Sequence, residues 1–136
     1  MSSHRLTVRF ALAASLSALG LFGCESSTGP DLHRDFIVDV NGERFIMRAT
    51  DPTTIQHAVN ILNREESLFP IGPLRSGNGG FNTPWSWHMD PEEVRLTEVS
   101  VEVCDAMPSF VEENLNNFLR PEVGYCPWSA RIVGEK

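Results

Sequence analysis

Residues 35–50 read Asp-Phe-Ile-Val-Asp-Val-Asn-Gly-Glu-Arg-Phe-Ile-Met-Arg-Ala-Thr, and this stretch decides the predicted fold. Apolar and polar residues alternate on both sides of the Asn41-Gly42 pair, which is typical of strands with one buried face. Asn41 and Gly42 both tolerate the positive φ angles of a tight two-residue turn. The stretch therefore predicts a β-hairpin, with one face built from Phe36, Val38, Val40, Phe45 and Met47.

A helix is predicted directly after the hairpin. Asp51 can cap its first turn, and Pro52 suits its first position. Apolar residues then recur at helical spacing as far as Leu62, which indicates an amphipathic helix of about twelve residues. His57 lies off the apolar stripe, so we interpret it as a solvent-facing residue rather than a ligand.

The middle of the chain combines a long loop with two predicted strands. Residues 68–84 carry three prolines and four glycines, so they predict an irregular loop that is either functional or a surface excursion, with residues 70–74 as a part that could follow a sheet edge. Residues 85–89 alternate as a strand with Trp85 and Trp87 on one face, and this alternation places Trp87 in the core. Residues 95–104 are the clearest predicted strand, with one face of valines at positions 99, 101 and 103.

The C-terminal part predicts a second helix and a last strand. Ser109 and Glu112 match a capping box, and Pro121 ends the helix. Residues 125–133 then alternate with Trp128 on the apolar face, which places Trp128 in the core. The expected order is β-β-α-β-β-α-β, a small α+β domain whose mostly antiparallel sheet packs on two helices.

The N-terminus has the layout of a bacterial lipoprotein export signal. Arg5 and Arg9 form a basic start, and residues 10–22 are an apolar run that is too short to span a bilayer. The run ends in Leu-Phe-Gly-Cys, which resembles the lipobox that directs lipidation of the cysteine, here Cys24. An ordinary secretory signal, cleaved after residues 18–20, is the alternative.

The expected layout is a signal peptide at 1–23, a lipidated Cys24 with a flexible tether at 24–33, and one globular domain at 34–136. Acyl chains such as palmitate would hold Cys24 to the bacterial cell envelope, on its periplasmic or extracellular side. Arg5 and Arg9 leave with the signal, which reduces 11 basic residues to nine against 18 acidic ones, a net charge of 9 − 18 = −9. That charge argues against nucleic acid as a partner.

Cys104 and Cys126 remain once Cys24 is assigned to lipid. An even pair of cysteines in an oxidising compartment predicts a disulfide bond. Two alternatives stay open: zinc thiolates, which usually occur at Cys-x-x-Cys spacing, and a redox pair, which is normally closer in sequence.

Candidate functional residues come from the centre of the chain. His88, Asp90 and Glu102 are weak candidates for a divalent metal site or an acid–base pair, provided that their strands adjoin. Asn78, Trp85 and Trp87, together with His88 and Asp90, are candidates for binding a ligand. Of the three tryptophans, Trp85 is expected to be the most exposed. No nucleophile, phosphate-loop or cofactor motif is visible, which disfavours an enzyme and predicts no cofactor.

Two sequence blocks resemble a known family. They are Pro-Trp-Ser-Trp-His-Met-Asp-Pro at 84–91 and Cys-Pro-Trp-Ser-Ala-Arg at 126–131. They are similar to the N-terminal domain family of a slime-mould calmodulin-binding protein, which also stands alone in bacterial secreted proteins of unassigned activity. The resemblance implies one domain and a Cys104–Cys126 pair. Calmodulin is not expected as a partner, because the acidic chain lacks a basic amphipathic helix.

Three functions are therefore considered. The first is a non-enzymatic binding module anchored to the membrane, which captures a protein, including a protease, or a glycan through the loop that leads into Trp85. The second is a small metal-binding protein or metal-assisted enzyme. The third is an envelope structural protein without a discrete site.

Overall fold

A computed structural model describes residues 32–100 and 102–136, except for the side chain of Glu102. The predicted signal peptide, Cys24 and nearly all of the tether lie outside the described residues. Within the described ranges, no helix is long and apolar enough to cross a membrane. The predicted α+β class is confirmed, since antiparallel strands are combined with short helices.

The predicted hairpin is confirmed. β1 (Arg34–Val40) pairs with β2 (Glu43–Ala49) in an antiparallel register without interruption. The turn places Asn41 at φ 51° and Gly42 at φ 96°, the left-handed backbone that these two residues tolerate best. The Asp39 side chain stabilises the turn by accepting a 3.0 Å hydrogen bond from the Gly42 amide.

A third strand, β7 (Ala130–Glu135), completes the main sheet on the other side of β1, so the strand order is β2-β1-β7. The β1–β7 ladder contains one irregularity, between Ile37 and Val38. Every second residue of β1 and β2 is buried, and so are the first and third residues of β7. Because the pleat alternates side chains between two faces, the period-two pattern of the sequence predicted the buried faces of β1 and β2 correctly.

The helix α1 (Pro52–Leu62) follows the hairpin as predicted. The Asp51 side chain caps it by accepting a 2.8 Å hydrogen bond from the Thr54 amide. His57 is half-buried instead of free in solvent, because its Nδ1 lies 2.6 Å from a carboxylate oxygen of Glu66.

Two short antiparallel ladders accompany the main sheet. β3 (Phe69–Ile71) pairs with β6 (Arg95–Thr97), and β4 (Leu74–Ser76) pairs with β5 (Trp87–Met89). The segment predicted as one long loop therefore contributes two strands, and only its second half is irregular. The strand predicted at 85–89 is confirmed for its last three residues, Trp87–Met89, which form β5.

The segment 95–104, predicted as the clearest strand, pairs only as far as Thr97. The partner strand β3 begins at Phe69, directly opposite Thr97, so this ladder ends at Thr97. The Thr97 hydroxyl then accepts a 3.2 Å hydrogen bond from the Val99 amide, which turns the chain away from the ladder. Val99 and Val103 are 74% and 70% exposed, so this valine alternation does not mark a buried face.

The second predicted helix is divided in two, and its predicted capping box is wrong. α2 (Pro108–Glu113) and α3 (Leu115–Phe118) are separated by one residue. Ser109 lies inside α2, where its amide and hydroxyl donate to the Glu43 carboxylate at 2.7 and 2.8 Å. The Glu112 side chain does not accept the hydrogen bond from the Ser109 amide that a capping box requires, and it bonds to another segment instead. The start of α2 is thus satisfied by a residue of the hairpin, which no local pattern could indicate.

An aromatic cluster fills the core. The ring centroids of Phe45, Trp87 and Tyr125 lie 5.4 to 5.9 Å apart, and Trp87 is fully buried, as predicted. The prediction that Trp128 belongs to the core is wrong, because its side chain is 42% exposed. The apolar alternation includes Trp128, but the strand itself begins only at Ala130.

The predicted disulfide between Cys104 and Cys126 is confirmed. Both cysteines are buried, and the Cys126 amide donates a 2.8 Å hydrogen bond to the Cys104 carbonyl oxygen. The bond joins a 3₁₀ turn at Glu102–Cys104 to the segment that leads into β7.

We expect the double substitution Cys104→Ala and Cys126→Ala to lower the free energy of unfolding by about 3 kcal/mol, because the bond closes a loop with a sequence separation of 22. Urea denaturation followed by tryptophan fluorescence measures this change. The exposed Val103→Ala substitution, next to the bond, serves as a control with an expected effect below about 0.5 kcal/mol. Equal stability of the double variant and the wild type would contradict the expectation.

Candidate binding site

The glycine loop, defined here as residues 77–86, is the segment that the sequence suggested for binding. Its two ends are joined by a 2.7 Å hydrogen bond from the Gly77 amide to the Ser86 carbonyl oxygen. At its tip, the Asn78 side chain accepts a 2.8 Å hydrogen bond from the Gly80 amide. The loop is therefore held in one conformation by its own contacts, despite its glycine content.

Asn82 attaches the glycine loop to the main sheet. Its side chain is fully buried, with Oδ1 accepting a 2.7 Å hydrogen bond from the Ile46 amide and Nδ2 donating a 2.7 Å bond to the Trp87 carbonyl oxygen. Ile46 belongs to β2, the edge strand, so its amide faces away from β1 and has no strand to pair with. The Asn82 side chain thus takes the place of the peptide group that a neighbouring strand would supply.

Trp85 and Ser86 provide two further attachments. Trp85 Nε1 donates a 2.8 Å hydrogen bond to the Arg44 carbonyl oxygen, a second group on the edge of β2. The Ser86 amide and hydroxyl donate to the Glu112 carboxylate at 3.0 and 2.7 Å. Trp85 is consequently half-buried, and the expectation that it is the most exposed tryptophan is wrong, since Trp128 is more open.

Arg48 connects the glycine loop with the outer face of the sheet. Its guanidinium donates two hydrogen bonds to the Asp35 carboxylate at 2.7 and 2.8 Å, and it lies 4.4 Å above the centroid of the Phe81 ring. The hydrogen bonds from Arg48 hold the pKa of Asp35 below its ordinary value, although burial acts in the opposite direction. The pair therefore stabilises the fold while Asp35 is ionised.

His88 and Asp90, proposed as metal ligands, each have a protein partner. His88 Nδ1 lies 2.7 Å from a backbone carbonyl oxygen of the glycine loop, and Asp90 accepts a 2.7 Å hydrogen bond from Arg75. Burial raises the pKa of Asp90, but hydrogen bonds from Arg75 and the Glu92 amide keep it below its ordinary value. Among the described residues, no three His, Cys, Asp or Glu side chains form a cluster that could hold a metal ion. The Glu102 side chain lies outside them, so its role stays a prediction.

The five residues suggested for binding thus all take part in structural contacts. They are Asn78, Trp85, Trp87, His88 and Asp90. Of these five, Trp85 bonds to the edge of β2, as Asn82 does. A ligand role for them stays a prediction.

The other edge of the sheet, at β7, is open. Within the ranges that the structure describes, β7 pairs with no strand besides β1. Beside its start lies a hollow of about 520 Å³, called here the Trp128 groove, whose polar and aromatic lining includes Asp39, Asn41, Ser67, Trp128, Ser129 and Arg131. A second hollow of about 610 Å³ shares Ser67 and Arg131 with it and extends to Arg64.

Trp128 is held on a fixed turn. Its amide donates a 2.9 Å hydrogen bond to the Asp105 side chain, and the Ala130 amide donates a 3.1 Å bond to the Pro127 carbonyl oxygen. Cys126 lies two residues earlier and carries the disulfide. The exposed indole therefore projects from a constrained backbone.

The two charged residues that line the Trp128 groove, Asp39 and Arg131, differ in their hydrogen-bond partners. Asp39 accepts hydrogen bonds from the Gly42 amide and from Arg44, which lower its pKa, and the charge of Arg131 lowers it further. Arg131 stands opposite Asp39 in the β1–β7 ladder. In the described part of the chain, the Arg131 side chain makes no hydrogen bond or close ion pair of its own. The groove thus combines an exposed indole with an arginine that is available for a ligand.

The sequence analysis missed Asn41, Ser129 and Arg131 as candidate site residues. Asn41 was assigned to the hairpin turn alone, and Arg131 was one of many charged residues on an exposed strand face. Their proximity arises only when β7 pairs with β1, so no local signal could have identified them.

Fold and site define a small disulfide-bonded α+β domain with one closed and one open sheet edge. The family model of the BP-74 N-terminal domain matches residues 33–136, and the chain belongs to this family. The resemblance to the N-terminal domain of a calmodulin-binding protein is thereby confirmed. No curated protein and no solved structure gives a match.

We expect Asn82→Ala to lower the free energy of unfolding by about 3 kcal/mol, because it leaves the Ile46 amide and the Trp87 carbonyl group buried without partners. Chemical denaturation measures the loss. Asn78→Ala, at the exposed tip of the same loop, is the matched control and should change the stability by less than about 1 kcal/mol. Similar losses for the two variants would show that Asn82 does not hold the loop to the sheet.

The Arg48–Asp35 pair predicts a pH-dependent stability. Because the pKa of Asp35 is lowered in the folded chain, its contribution is present above the ordinary value of 3.8 and is lost as the pH falls below it. Arg48→Gln should therefore destabilise the protein more at pH 6 than at pH 3, as measured by urea denaturation at both pH values. Arg120→Gln, whose guanidinium donates to the neutral Asn117, is the control with a constant effect. A constant effect of Arg48→Gln would contradict the expectation.

Proposed function

We propose that the chain is a membrane-anchored extracytoplasmic lipoprotein whose domain is a non-enzymatic binding module, with the Trp128 groove as its binding site. The lipid on Cys24 and the tether would hold the domain at the surface of the envelope. A single acyl chain binds membranes only weakly, so the several chains of a bacterial lipoprotein are needed for stable anchoring.

The observation that carries this proposal is the exposed Trp128 on a constrained turn beside the available Arg131. Tryptophan and arginine are the residue types most enriched where binding energy is concentrated. The size of the groove, about 520 Å³, lies within the range of ligand pockets. Arg131 lies on β7 and Trp128 lies on the constrained turn that precedes it, so both side chains project from a fixed backbone.

The difference between the two sheet edges supports the same conclusion. At β2, side chains of the glycine loop already satisfy the Ile46 amide and the Arg44 carbonyl group. At β7, the neighbouring hollows remain open. The glycine loop is therefore better explained as a structural cover than as the capture loop expected from the sequence.

Calmodulin is not proposed as a partner, although the family shares a domain with a calmodulin-binding protein. Calmodulin targets are basic amphipathic helices. The helix α1 is the longest one in the described residues, and it contains no lysine or arginine.

The anchor is tested by the substitution Cys24→Ala. We expect the wild type to sediment with membranes and to incorporate labelled palmitate, and the variant to do neither, because the acylated sulfur is lost. Ser26→Ala in the tether is the control and should behave as the wild type. Membrane association that persists in the unlabelled Cys24→Ala variant would remove the lipid anchor from the proposal.

The binding site is tested by retention of the unlipidated chain on isolated bacterial envelopes. Trp128→Ala should reduce retention about thirtyfold, since a loss of about 2 kcal/mol is the usual minimum for a residue on which binding depends. Phe110→Ala on α2 removes another exposed aromatic ring, 53% open, and should leave retention unchanged. Equal retention of the Trp128→Ala variant and the wild type would overturn the assignment of this groove.

A further inference from the structure

We propose that the Trp128 groove binds an acidic carbohydrate, that is, a pyranose sugar with a carboxylate group, which stacks on Trp128 and pairs with Arg131. The proposal rests on the function proposed above and specifies the ligand of the same groove.

Trp128 supplies the stacking surface. One face of a pyranose ring carries mainly C–H bonds, which pack against an aromatic ring while the hydroxyl groups point outward. An indole offers the largest such surface among side chains, and that of Trp128 is 42% exposed. Because the backbone is held through Asp105 and the disulfide at Cys126, little ordering of the protein is needed on binding.

Asn41 and Ser129 supply groups for sugar hydroxyls. Asn41 Nδ2 donates a 2.9 Å hydrogen bond to Ser129 Oγ, which orients both side chains. The Asn41 side-chain oxygen can then accept a hydrogen bond from a sugar hydroxyl, and the Ser129 hydroxyl can donate one. Asn41 is fixed at the hairpin turn, with φ 51°, so its position does not depend on the ligand.

Arg131 determines the expected charge of the sugar. Its planar guanidinium can donate two parallel hydrogen bonds to a carboxylate. Asp39 is the acid across the ladder, but it already accepts hydrogen bonds from the Gly42 amide and from Arg44. The whole chain carries a net charge of −7, which repels anions at long range, so the selection of an anionic ligand over a neutral one rests on the local contact with Arg131.

A second arginine extends the site. The hollow next to the Trp128 groove shares Arg131 and is also lined by Arg64. The acid in this hollow, Glu66, is bonded to His57 and Asn60 at 2.6 and 3.0 Å. Two arginines along one path fit an oligosaccharide with a carboxylate on successive sugars better than a single acidic sugar.

The test compares galacturonate, galactose and tetragalacturonate as probes, with the full chain kept in detergent micelles. Calorimetry measures affinity, and the NMR signal of the Trp128 indole reports the location. We expect galacturonate to bind about tenfold more tightly than galactose, because a charge-assisted hydrogen bond contributes at least that factor. Arg131→Gln should abolish this preference, and Trp128→Ala should abolish binding of all three probes.

The oligosaccharide distinguishes an extended polymer from a free acidic sugar. Tetragalacturonate should bind about tenfold more tightly than the monosaccharide, and Arg64→Gln should remove only this gain. Arg120→Gln, an arginine outside both hollows, is the control for loss of positive charge and should change no affinity.

Equal affinity for galactose and galacturonate, or galacturonate binding that survives Arg131→Gln, would overturn the acidic carbohydrate as ligand. If no probe binds but Trp128→Ala still lowers retention on envelopes, the acidic carbohydrate is likewise overturned as the ligand, and the groove binds another class of ligand. If Trp128→Ala leaves retention on envelopes unchanged, the proposed function itself fails.

Discussion

The buried side chain of Asn82 makes the interaction on which the rest of the domain depends. Its amide group bridges the Ile46 amide on β2 and the Trp87 carbonyl group on β5, at 2.7 Å each. A polar group in the core is costly unless it is fully hydrogen-bonded, and here each bond also satisfies a backbone group that would otherwise lack a partner. A glycine-rich segment is thereby converted into a fixed part of the sheet edge.

Because the glycine loop covers the β2 edge of the sheet, the open surface lies at the β7 edge. Trp85 and Glu112 strengthen the attachment of the glycine loop, and the Arg48 guanidinium lies above Phe81 within the same loop. These contacts use the residues whose chemistry suggested a binding loop. Within the described residues the main sheet has three strands, and the hollows beside its β7 edge present the exposed Trp128 and Arg131.

The charged side chains also differ between the β7 side and the rest of the domain. Although the chain is acidic, many of its arginines are paired across strands, as in Arg48 with Asp35, Arg75 with Asp90 and Arg34 with Glu135. The Arg34–Glu135 pair is more exposed and contributes little stability, whereas the Arg48–Asp35 pair is largely buried and stabilises the fold. Arg131 and Arg64 differ from them in having no such partner among the described residues, which gives the β7 side a distinct electrostatic character.

Local sequence determined the hairpin around Asn41-Gly42, the Asp51 cap of α1, the buried Trp87 and the pairing of the two remaining cysteines, because turn chemistry, periodicity and cysteine number act over short range. Tertiary structure alone decided that β6 ends at Thr97, that Glu43 replaces a local cap, and that Trp128 faces solvent. A strand needs a neighbour and a buried side chain needs a facing layer, and both come from residues remote in sequence. The candidate site follows the same rule, since Asn41 and Arg131 meet only through the pairing of β1 with β7.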